Sequence, residues 1–174
     1  ARTGRNESLP YAGVFLTKSR EVAVWQHSDD EEEVLGTILH ESSHVIMAQL
    51  SPHAPHWLQE GMAEYFENMQ QKNDQVVIVP PARNIALLDN WRSKGQLITL
   101  RSYLSLPEDK WLGMAHNASA VPYTVAWATA YFMLSNDTGK RVLRRVLQDL
   151  EKSKRWPTVD DIDHAYPGGL SRMD

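Results

Sequence analysis

Cysteine is absent from the chain, and that one absence removes disulfides, thiolate metal sites and a cysteine nucleophile together. Any metal must then be held by imidazole and carboxylate. Cysteine-free proteins occur inside and outside the cytoplasm, so the compartment stays open. Long apolar runs are missing too. The richest stretch, 121–134, is interrupted by Pro122, Tyr123 and threonines, and it suits a buried helix better than a membrane span of about 20 residues. No segment reads as a signal peptide. The chain opens at Ala1 without a methionine, which is compatible with a processed, exported product. Charge of one sign is also scarce. A formal net charge of -4 over 174 residues gives no general pull towards nucleic acid or anionic lipid. Internal repeats and low-complexity segments are not found.

What is present suits one globular domain over 1–174, since 42% hydrophobic residues can supply a sizeable core. The expected fold class is α+β and mostly helical. A short antiparallel N-terminal sheet and two helices occupy 1–80, and a helical part occupies 81–174. Val14 to Gln26 reads as two β-rich runs around the polar Lys18-Ser19-Arg20. Ser28-Asp29-Asp30-Glu31 reads as a capping box, and the acidic run 29–33 suits a helix N-terminus. The helix that follows, about 29–50, carries apolar residues around most of its circumference, which predicts an interior position. A second helix is expected to start near Pro55 and to run through Trp57 to about Gln70, with a strand at 75–79 and helices at about 83–94 and 99–105. Further helices are expected from Pro122 to Ser135 and, after an Asn136–Gly139 turn, to about Lys154. Trp127, Tyr131 and Phe132 read as core. Lys140, Arg141, Arg144 and Arg145 alternate with apolar residues at helical spacing, as on the solvated face of an amphipathic helix.

The chemistry is concentrated in His40-Glu41-Ser42-Ser43-His44. Histidines at i and i+4 lie one turn apart on one helix face, so both imidazoles can converge on one ion. Glu41 sits about 100° round the helix. From there it can take a proton from an attacking water and later return it. Left without a metal on an interior helix, two imidazoles and a carboxylate would be costly to bury. A catalytic zinc takes three protein ligands and keeps a position open. The candidate for the third is Glu60 in Trp57-Leu58-Gln59-Glu60-Gly61-Met62-Ala63-Glu64-Tyr65, reached by a loop and a return on an antiparallel helix. Glu64, one turn later, can accept from the outer ring N–H of a ligating histidine, while Glu67 is expected to be solvated. His53 and His56 are expected to be solvent-exposed loop histidines.

This pairing of His-Glu-x-x-His with Trp-Leu-x-Glu-Gly-x-Ala-Glu-Tyr resembles the gluzincins, the zinc peptidases that include thermolysin and the large aminopeptidases. It is most similar to compact bacterial peptidase-MA-like domains. The motifs cover residues 40–65, and the gap to Glu60 is a few residues shorter than in the larger enzymes. The resemblance implies a zincin-like fold and Zn2+ held by His40, His44 and Glu60. It also implies Glu64 behind the ligands, Glu41 as general base and acid, and a peptide or protein substrate. It further implies an oxyanion donor well downstream, for which Tyr123 is first choice and His116 second. Strand residues 22–25 become a possible edge for an extended peptide. The aminopeptidase motif that grips a free amine and the metzincin third-ligand motif are both absent. A zinc-bearing module that binds peptide without cleaving it is the alternative, and hydrolysis of a non-peptide amide is a third reading.

Overall fold

The computed structural model describes residues 12–25, 29–51, 54–117, 119–153 and 158–172. The chain begins with a hairpin of β1 (Gly13–Leu16) and β2 (Glu21–Val24), antiparallel with Gly13 opposite Val24. Helix α1 (Glu31–Leu50) follows, then α2 (His56–Glu67). A second hairpin of β3 (Met69–Lys72) and β4 (Gln75–Ile78) comes next. The rest is helical: α3 (Ala82–Ser93), α4 (Leu100–Leu104), α5 (Glu108–His116), α6 (Val121–Ser135), α7 (Asp137–Ser153) and α8 (Val159–Ala165), closed by a 3-10 turn at Leu170–Arg172. The fold is mostly helical with two small antiparallel sheets, which agrees with the α+β expectation.

Helix α2 is the middle of the molecule, packed on α1 at one side and α6 at the other. Its motif glycine explains how closely. A Cβ on Gly61 would lie 2.6 Å from the Ala126 carbonyl oxygen of α6, so only glycine allows this approach. Helix α6 is apolar nearly all round, with Val125, Ala126, Trp127, Ala130 and Met133 buried, as a helix enclosed by neighbours must be. Helix α7 buries Val142, Leu143 and Val146 against it and leaves Arg141, Arg144 and Arg145 exposed, as its periodicity predicts. The core continues through Tyr103, Trp111, Ile162 and Leu170. Two of its polar groups pair with each other: Trp111 Nε1 donates to the Tyr103 hydroxyl at 3.0 Å, and that hydroxyl donates to the Pro122 carbonyl at 2.6 Å, whereas the buried Trp127 Nε1 has no hydrogen-bond partner among the described residues.

Several local expectations change. Helix α1 is not an interior helix: only Gly36, Ser43 and Met47 are buried, and Leu35, Ile38, Ile46 and Leu50 are exposed. The β1–β2 hairpin and α2 cover part of its circumference, and an apolar stripe wider than that cover remains. Its N-cap is Asp30, whose side chain accepts from the Glu32 N–H at 2.9 Å; Ser28 lies outside the described residues. The second helix stops at Glu67 rather than about Gln70. Met69–Lys72 has fair helix propensity, but Asn73 and Asp74 both take positive φ (49° and 59°), a two-residue turn that joins β3 to β4. Helix α5 was not expected from the pattern, although Pro107-Glu108-Asp109 is a good helix start. The expected turn at 136–139 shrinks to Asn136. Its side chain donates to the Phe132 carbonyl and accepts from the Gly139 N–H, ending α6 and starting α7 at once. Phe132, expected in the core, is exposed.

Candidate metal centre

Helix periodicity puts His40 and His44 on the same side of α1, with ring centroids 5.1 Å apart. Helix α2 returns antiparallel to α1, so that Gly36 meets Glu67 while His40 and His44 meet Glu60. Glu60 Oε2 lies 3.6 Å from His40 Nε2 and 3.8 Å from His44 Nε2. All three side chains are largely withdrawn from solvent, at 14–18% exposure. Ligands bonded at about 2.0–2.1 Å to a tetrahedral zinc lie about 3.4 Å from one another. The observed spacing therefore needs only a small contraction to close around an ion. Two imidazoles and one carboxylate form the donor set, and the three residues can hold a metal.

The outer nitrogen of His40 finds its carboxylate in Glu67. His40 Nδ1 and Glu67 Oε2 are 2.9 Å apart, which makes Nδ1 the donor there and leaves Nε2 facing Glu60. Glu67, expected in solvent, thus takes the role expected of Glu64. Glu64 lies close by, grouped with His40 and Glu67. Burial, followed by the charge of Glu67, pushes its carboxyl up to about 7. Both glutamates lie on the face of α2 that bears Glu60. Which of them reaches the ring depends on how α1 crosses α2, and sequence spacing does not contain that information.

The metal-free electrostatics are coherent. Burial alone would lower His40, but hydrogen bonding to Glu60 and then Glu67 raises it to about 10. Burial lowers His44, and the charges of His40 and His56 add to that effect. Burial opposes ionisation of Glu60, yet the bond to His40 and the nearby histidines bring its carboxyl below the ordinary value. A proton on His40 thus holds Glu60 in the metal-free site, and a cation would displace it.

Glu41 stands beside this group under β1. A Cβ on Gly13 would come within 2.8 Å of Glu41 Cγ, so a glycine there lets the strand close over the carboxylate. The Phe15 backbone N–H donates to Glu41. Burial raises the Glu41 carboxyl, partly offset by the His40 charge, as suits a group that must both take and return a proton.

His56 departs most from expectation. Far from being a solvated loop residue, it opens α2. Its Nε2 pairs with Glu108 Oε1 at 3.1 Å, and its ring stacks on buried Trp111 at 5.3 Å and 19°. Tyr123 meets the same indole edge-on, at 5.4 Å and 70°. His116 is exposed at the end of α5, about 12 Å along the helix from Glu108. His53 lies outside the described residues.

The fold and site together define an α+β, mostly helical protein with a candidate two-histidine, one-glutamate metal centre. The family described as "Protein of unknown function (DUF1570)" matches residues 34–158, and the chain belongs to that family. No curated protein and no solved structure matches the chain. No helix among the described residues is long and apolar enough to cross a membrane.

Proposed function

We propose that the protein is a zinc-dependent peptidase with a zincin-like arrangement, in which Glu41 is the general base and acid. One observation carries the reading: His40, His44 and Glu60 converge from two antiparallel helices with a raised, half-buried Glu41 alongside. A nitrogen and oxygen donor set without thiolate suits zinc at a hydrolytic site. When bound, zinc supplies Lewis acidity, polarising a carbonyl and bringing the pKa of water towards about 7. Glu41 takes the proton of the attacking water and delivers it to the departing amine. Glu67 keeps the His40 ring in its ligating tautomer. The β1–β2 hairpin, lying over Glu41, offers backbone groups along which an extended peptide can align. Tyr123 remains a candidate donor to the carbonyl oxygen.

The test is metal analysis and cleavage of a peptide library, before and after Glu41→Gln. Zinc should be retained by both proteins, and turnover should fall about 10²–10⁴-fold in the variant. Turnover that survives the substitution defeats this mechanism. Zinc with measurable peptide affinity but no turnover makes the chain a peptide-binding module instead.

A further inference from the structure

The outer face of α1 has no role in the metal centre. Leu35, Ile38, Ile46 and Leu50 are between 40% and 56% exposed. With part-exposed Ser42 in the gap, they follow one another at steps of three and four residues, which keeps them on one side of the helix. Single exposed apolar residues are ordinary, but a contiguous stripe marks a contact surface. This stripe is nearly symmetric about Ser42. Leu39 and Val45 stand three positions to either side, Ile38 and Ile46 four, and Val34 and Leu50 eight. Such a helix presents similar side chains read from either end. A two-fold contact requires just that, since each residue meets its mirror position on the other copy. Ser42 falls at the crossing point, where a short side chain lets two helices approach closely. Charge sets the direction. The first turn holds Glu31, Glu32 and Glu33, and the last turn holds no basic residue. Parallel helices would bring two acidic first turns together, whereas antiparallel ones send them to opposite ends and set each N-terminus beside a C-terminus. The four half-exposed side chains leave about 350 Å² of apolar surface per chain, in the range of the largest patch on a typical monomer. With the flanking Val34, Leu39 and Val45, two copies bury on the order of 1,000 Å² in total, the lower end for a specific interface and the size of a reversible dimer.

We propose that α1 is the two-fold interface of a homodimer, crossing its copy antiparallel at Ser42. Ile38 of one protomer then packs on the partner's Ile46, and Leu39 on the partner's Val45, each contact occurring twice by symmetry. Ser42 lies about 160° round the helix from both His40 and His44, so the contact uses the side of α1 turned away from the metal ligands. The two candidate metal centres then lie on the outer sides of the helix pair. The inference does not rest on the peptidase reading, and either can fail alone.

Sedimentation velocity of the full chain should show its mass doubling between about 1 and 100 μM, the range that a contact of this size allows. Ile46→Lys alters a side chain that is 56% exposed, so the core is untouched, and it should raise the dissociation constant at least about tenfold, because each dimer receives two buried lysines. Ile85→Lys, at an exposed apolar residue of α3, should leave it unchanged. The absence of cysteine gives a second test that does not depend on affinity. Under mild oxidation Ser42→Cys should join to its own copy, and a mixture of Leu35→Cys and Leu50→Cys should yield mainly the mixed disulfide. A chain that stays monomeric at 100 μM and a Ser42→Cys protein that does not cross-link overturn the inference. A dimer weakened by Ile85→Lys but not by Ile46→Lys also overturns it, since the interface then lies elsewhere. Leu35→Cys joining only to itself would show parallel helices and overturn the antiparallel crossing.

Discussion

Two glutamates on α2 carry the consequences at the scale of single residues. Glu67 holds His40 through Nδ1, and loss of such a contact typically costs 10–100-fold in metal affinity. Glu67→Gln should therefore weaken zinc binding by about that factor in a chelator competition; an unchanged affinity would mean that the contact does not orient the ligand. Glu64 carries a different signature. In the metal-free protein its carboxyl titrates at about 7, against 4.5 for the ordinary group. The folded state thus binds the extra proton between those values, and stability declines as pH rises from about 4.5 through about 7. Glu64→Gln should remove that slope and gain on the order of 2–3 kcal/mol at pH 8 relative to pH 5. Urea unfolding of parent and variant across that range checks it, and parallel curves would count against a buried, proton-holding Glu64. The types of residue needed here were legible in the motif. Their partners were not, because Glu64 and Glu67 share one face and only the crossing of α1 over α2 selects between them.

Close packing decides matters at the scale of elements. Gly61 stands where α2 and α6 almost touch, and a methyl group there would meet backbone rather than a movable side chain. Gly61→Ala should cost about 1–3 kcal/mol, visible as a lower urea midpoint. Zinc affinity should fall with it, since Glu60 is the adjacent residue. A variant as stable as the parent would show that the helices can separate without penalty. The β3–β4 hairpin makes the complementary point. Its four-residue strands are too short for periodicity to separate them from a helix end, and the stronger cue was the pair Asn73-Asp74, two residues that tolerate left-handed backbone. Helix α1 departs from its expected interior position for a related reason: an apolar circumference states a need for cover, while the cover comes from α2, the β1–β2 hairpin and β3.

For the molecule as a whole, the metal centre is a clasp between α1 and α2. An ion bound only by the folded state stabilises it by about 2.7 kcal/mol when free metal exceeds Kd a hundredfold. Chelation should accordingly lower the Tm of the zinc-loaded parent. His44→Ala should leave a Tm that no longer responds to chelator. A parent Tm indifferent to chelation would mean that the three side chains do not close on an ion in solution. The α6–α7 side of the core lies away from this clasp, so the metal-free protein should retain its helical circular dichroism.

The sequence alone determined what depends on chain-local geometry. Two histidines four residues apart share a helix face whatever surrounds them, Glu41 flanks them by the helical rotation, and alternating apolar and basic residues orient α7. Tertiary packing decided the rest: Glu67 rather than Glu64 on His40, the exposure of half of α1, and the meeting of His56 with Glu108 across 52 positions of sequence. The reason is that backbone hydrogen bonding sets periodicity within a helix, residue by residue. The rotation and crossing of one helix against another come from side-chain interlocking summed over the whole core.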